Sequence, residues 1–133
     1  MLRQVVANVI FVRDLAQTTA FYRDTLGLQV MDSDAESTGF RLGDIYFLLL
    51  EVSAAARLVS ADATPLPSEG GPRGLLAASV DDVDAAYAAL TAKGVAFLRP
   101  PTSQSWGMRT AHFADPEGNI WEINQPIPAK TQE

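Results

Sequence analysis

The chain has 133 residues, of which 47% are hydrophobic and 20% charged, enough for one folded core and against disorder. Its net charge of −6, with ten basic residues scattered singly, excludes a nucleic-acid partner, which needs clustered Lys and Arg. No cysteine means no disulfide, thiolate zinc site or cysteine nucleophile, and the single histidine, His112, cannot make a two-histidine metal site within one chain.

The N-terminus MLRQVVANVIFVRD has neither a signal-peptide cleavage site nor a stop-transfer pattern, and no apolar run reaches membrane-span length. The expectation is a soluble, cytoplasmic protein with no membrane partner. The first strand is VVANVIFV, residues 5 to 12, and Asp14 then caps a helix from about Leu15 to Leu26 that Gly27 ends. Tyr22 and Phe21 belong to the helix stripe that must be buried. Strand-like pieces follow at LQVMDSD, STGFRLG and DIYFLLLEV.

A segment bearing Pro, Gly and Ser, residues 54 to 73, has little periodicity after residue 60 and reads as a linker. The order then repeats. GLLAASV is a strand, Asp81 or Asp82 caps a helix from about Val83 to Lys93, and Gly94 ends it. VAFLRPP, MRTAHFAD and NIWEINQP complete the set. The chain thus reads as one domain over residues 1 to 133. A first module spans about 1 to 53 and a second about 74 to 127, each strand, helix, then three strands. The fold class is α+β, with two βαβββ modules in a pseudo-twofold arrangement.

Within the last hairpin, FADPEGNIWEINQP, the turn is plain: Asp115 and Asn119 bond back to backbone, Pro116 sets φ and Gly118 supplies φ > 0. The strand raises a question. Glu122 lies among Ile120, Trp121 and Ile123, and a lone buried carboxylate costs several kcal/mol unless paired or protonated.

The runs NVIFVRDLAQTTAFYRDTLGLQV, VDDVDAAYAALTAKGV and WGMRTAHFADPEGNIWEINQP, in that order, resemble the signature segments of the vicinal oxygen chelate superfamily. That group includes glyoxalase I, extradiol dioxygenases, fosfomycin resistance enzymes, methylmalonyl-CoA epimerases and bleomycin resistance proteins. The resemblance implies paired βαβββ modules whose mixed sheets curl into a cup around the ligand, and a homodimer. It also implies one metal ligand on the first strand and one on the last strand of each module, His or Gln twice and Glu twice. Those first-strand positions fall on Ala7 and Leu75, which cannot bind a metal. Asn8 is one residue away, on the opposite face of the strand. The last strands offer Glu122 and, in the first module, Glu51, with Leu49 nearly as good a match.

A catalytic metal and any other cofactor are therefore not expected. The resemblance then points to the bleomycin-resistance type, a metal-independent protein that sequesters a small molecule and is no enzyme. Antibiotic resistance would be one such role. The candidate ligand contacts are Phe47, Glu51, Leu75, Trp106, Met108, His112 and Glu122, chosen by strand alternation. By the same alternation Arg109 points away towards a surface salt bridge and Trp121 lies under the helices. The alternative is a glyoxalase-like lyase or isomerase, with Glu122 as general base or with Glu122 and Glu51 holding a divalent metal.

Overall fold

The structure, a computed structural model, describes residues 1–67 and 71–128; linker residues 68–70 and the tail 129–133 lie outside it. The chain divides into two compact units, Met1–Gly71 and Pro72–Glu133. Each carries a four-stranded mixed sheet with helices, an α+β architecture.

In the N-terminal unit, β1 (Asn8–Val12) leads into α1 (Leu15–Ala20) and a π-helical turn (Phe21–Thr25). Strands β2 (Gln29–Ser33), β3 (Ser37–Leu42) and β4 (Ile45–Glu51) and helix α2 (Val52–Val59) follow. The sheet order is β1-β4-β3-β2, with β1 parallel to β4 and the remaining pairs antiparallel. The Asp14 carboxylate accepts from the Gln17 amide at 2.9 Å and starts α1, a cap worth about 1 kcal/mol. Gly27, at φ +73°, ends the helical segment.

Strand alternation gives this sheet two faces. On the helix face, Tyr22 packs against Phe40 and Phe47 with ring centroids 5.7 and 5.4 Å away, and Val12 and Leu49 complete a dry core. On the far face, Leu48 and Leu50 meet Ala54, Ala55 and Leu66. Helix α2 is therefore folded back over part of the far face. Strand and linker patterning alone places these residues at the end of a strand and the start of a linker; the Ala54–Ala56 run has high helix propensity, and Glu51 caps it, so a helix forms instead. β1 also starts later than expected, at Asn8, and Val5 and Val6 are exposed.

The C-terminal unit repeats the plan with β5 (Leu75–Ser79), α3 (Val83–Ala92), β6 (Phe97–Ser103), β7 (Met108–Ala114) and β8 (Ile120–Pro126). The order is β5-β8-β7-β6, with β5 parallel to β8. Asp82, rather than Asp81, is the cap, accepting from the Ala85 amide at 3.0 Å. Phe97 packs on Tyr87 of α3 at 4.6 Å and on Phe113 at 5.4 Å, and Phe113 stacks on Trp121. Trp121 is thus core, as its parity predicts. Arg109 leaves the opposite way from His112 and makes a two-pronged pair with Asp84 in the first turn of α3, at 2.7 and 2.8 Å. Its hydrogen bonds hold the Asp84 carboxyl below the usual carboxylate range. Among the described residues no helix is long and apolar enough to cross a membrane.

Candidate functional site

Residues paired across neighbouring strands share a face, so the ladder of the C-terminal sheet lays out its far face in rows. One row runs Ala77, Glu122, His112, Arg99 across β5, β8, β7 and β6. The next runs Ser79, Asn124, Thr110, Thr102, and on the other side lie Leu75, Ile120 and Ala114. A polar band is therefore flanked by an apolar corner, on the face turned away from α3.

Here the question raised by Glu122 is answered. Its side chain is 19% exposed and that of His112 is 20% exposed. His112 Nε2 stands 2.9 Å from Glu122 Oε1, and the Asn124 amide donates to Oε2 at 2.8 Å. Both carboxylate oxygens are engaged, which offsets the cost of removing them from water. Glu122 in turn fixes the imidazole orientation. His112 Nδ1 has no hydrogen-bond partner among the described residues. Below this pair, Gln104 donates to the Thr110 hydroxyl at 3.0 Å and extends the band toward the β6–β7 turn.

Of the residues singled out in the sequence, Leu75, Met108, His112 and Glu122 share this far face. Trp106 does not belong to β7. It stands in the turn between β6 and β7, closed by the Gln104 amide on the Met108 carbonyl and by Gly107 at φ +87°, and it is 68% exposed. Phe47 is a correction. It is 1% exposed, beneath Tyr22 on the helix face of the N-terminal sheet, and lines no open surface. Glu51 is a second. Its carboxylate accepts from the Ser53 and Ala54 amides at 2.9 and 3.3 Å and caps α2.

Arg99 was missed in the sequence, for a physical reason. Counting by twos from Phe97, which packs on the helix face, puts Arg99 there too. The ladder instead pairs Phe97 with Phe113 and Arg99 with His112, leaving Leu98 as a bulge residue. One extra residue reverses the parity of the strand beyond it and sends Arg99 to the far face.

The architecture and this face can be set beside known proteins. A sequence model of the Glyoxalase/Bleomycin resistance protein/Dioxygenase superfamily matches residues 4–123. The chain belongs to that superfamily. It is 33% identical over 117 residues to the uncharacterized protein YraH of Bacillus subtilis, covering 86% of this chain and 91% of YraH. A glyoxalase/bleomycin resistance protein/dioxygenase from Nocardioides superposes with a TM-score of 0.80 at 21% identity, over 99% of this chain and 92% of that one. A lactoylglutathione lyase from Agrobacterium tumefaciens gives 0.75 at 21% identity, over 93% and 94%. At that identity the two solved structures establish the fold alone.

Within the glyoxalase superfamily fold, the two units can be matched from their caps. Val9 and Ala77 each lie five residues before the cap, Asp14 or Asp82, and they pair with Leu48 and Glu122 respectively. The counterpart of Glu122 is therefore Leu48, neither Glu51 nor Leu49. With Leu48 in place of the expected Glu51 or Leu49, the positions that match the expected metal ligands are Ala7, just ahead of β1, Leu48, Leu75 and Glu122. Only one of them carries a donor. No group of three or more His, Asp or Glu is placed to share an ion among the described residues. A divalent ion in an open site needs three or four N or O ligands, so these residues do not fit one.

Proposed function

We propose that this protein binds a small organic molecule on the far face of its C-terminal sheet, without a catalytic metal, as a sequestering member of the glyoxalase/bleomycin resistance type. It would act as a homodimer in the cytoplasm. The observations that carry the reading are that Ala7 and Leu48 in the first unit and Leu75 in the second offer no metal donor, and that Glu122 is already engaged by His112 and Asn124. A face with a compact polar band and an apolar corner suits an organic ligand fixed by a few directional contacts.

The test is native mass spectrometry with Ni²⁺, Zn²⁺, Mn²⁺ and Mg²⁺, followed by a thermal-shift panel of drug-like and metabolite-like compounds. The expected result is no ion retained at one per chain and a thermal shift from at least one compound. Retention of one ion per chain, lost in Glu122→Gln, would overturn the metal-free reading.

The His112–Glu122 pair also supports a second reading, a glyoxalase-like lyase or isomerase. In it Glu122 is the general base, or orients His112 so that Nδ1 takes the proton. That reading expects Glu122→Gln to abolish turnover with little change in melting temperature. Unchanged turnover in the mutant rules it out.

A further inference from the structure

The far face of the C-terminal sheet carries a charge that the pairing of Glu122 leaves unused. Arg99 is exposed, lies directly across from His112, and its guanidinium makes no ion pair or hydrogen bond among the described residues. The other arginine of this hairpin, Arg109, is fully committed to Asp84 and Ser103 on the helix face. Glu122 cannot satisfy Arg99 without giving up partners: it is two strands away, on the order of 10 Å between backbones, and both its oxygens are already taken. A guanidinium is thus presented beside an imidazole whose Nδ1 is free, at the end of a row whose opposite corner is Leu75 and Ile120.

We infer that the ligand of this face is an amphipathic organic carboxylate, its acid group paired with Arg99 beside His112 and its apolar body lying over Leu75, Ile120 and Ala114. The inference rests on the small-molecule-binding reading and supplies its ligand class. A guanidinium fork matches a carboxylate in two parallel hydrogen bonds, which a neutral amide of the same shape cannot make with equal strength. The chain's net charge of −6 works against anions in general, so recognition must come from this local group rather than from the overall field. The Leu98 bulge is what brings Arg99 to the row of Glu122 and His112.

Two probes of matched shape separate the possibilities, 1-naphthoate and 1-naphthamide, titrated by NMR with the amides of β5 to β8 as reporters. Wild type is expected to bind the acid at least about tenfold more tightly than the amide. Arg99→Gln should abolish that preference, with its spectrum still dispersed as a folded control. Arg41→Gln removes another exposed arginine, one on the N-terminal sheet opposite Tyr46, and should leave the preference intact. A preference that survives Arg99→Gln overturns the inference. So does equal binding of acid and amide by wild type, which leaves the ligand-binding reading standing. If neither probe nor any compound of the thermal-shift panel perturbs these amides, both fall.

Discussion

The two sheets were laid down on one plan and have diverged on one side only. Phe40 and Phe47 stack on the helix face of the first at 5.4 Å, and their counterparts Phe113 and Trp121 stack at 6.5 Å on the second. Asp14 and Asp82 cap the equivalent helices. Met31 and Leu98 are matching bulge residues, between Val30 and Asp32 in one sheet and Phe97 and Arg99 in the other. The far faces share almost nothing. Where the second has Ala77, Glu122, His112 and Arg99, the first has Val9, Leu48, Gly39 and Asp32. A face packed under a helix is held to its residue sizes by the core, whereas the other face is free to take on chemistry. In the first unit part of that freedom is used to seat α2 on Leu48 and Leu50.

The largest effect that can break this contrast is at Phe47. If the residue is core, Phe47→Ala should cost about 3–5 kcal/mol in urea unfolding. A loss below about 1 kcal/mol would return it to an accessible surface.

Gly39 sharpens the contrast on the far side. It occupies the position of His112, and the space a side chain would need is filled by the Tyr46 hydroxyl, reaching across to Asp32 with 3.2 Å to each oxygen. A Cβ at Gly39 would stand 2.1 Å from that hydroxyl and 2.4 Å from Asp32 Oδ1. Gly39→Ala should therefore cost about 1–3 kcal/mol, with part of the loss recovered when Tyr46 is also replaced by Leu. Additive costs in that double mutant would show that the clash relaxes elsewhere. Burial, then the Asp32 hydrogen bond, raises the Tyr46 pKa, so the phenol stays a donor at neutral pH.

The smallest effect concerns Glu51. Hydrogen bonds from the Ser53 and Ala54 amides hold its carboxyl below the usual glutamate range. A depressed carboxylate contributes stability that is complete above its unfolded pKa and is lost as pH falls through the folded value. Glu51→Gln should accordingly lower the urea midpoint slightly at neutral pH and flatten its acid-side decline. An unchanged acid limb would show that the cap is not formed in solution.

Much of this fold was legible because its signals are local. A carboxylate at a cap and a glycine after a helix act within a few residues, and alternation places Trp121 and Arg109 correctly. The site was less legible because it depends on register. Matching Glu122 to a residue of the first unit means counting through a turn, and the turns differ: Gly43 and Asp44 join β3 to β4, while Asp115 to Asn119 join β7 to β8. Glu51 therefore looked like the counterpart that the ladder assigns to Leu48. Arg99 was hidden by a bulge that alternation cannot reveal, and α2 by a cap outside the usual Ser, Thr, Asp and Asn. Its Ala-rich run was the available signal.

The bulges have one more consequence. β2 and β6 are outer strands of their sheets, and a straight outer strand invites a foreign strand to add to it. In β6 the ladder is broken at Leu98 and again at Pro100 and Pro101, which have no N–H to offer. In β2 it is broken at Met31, beside the charge of Asp32. The irregularity that turns Arg99 to the far face also makes this edge a poor template for intermolecular pairing, and so guards an apolar-rich chain against sheet-to-sheet aggregation.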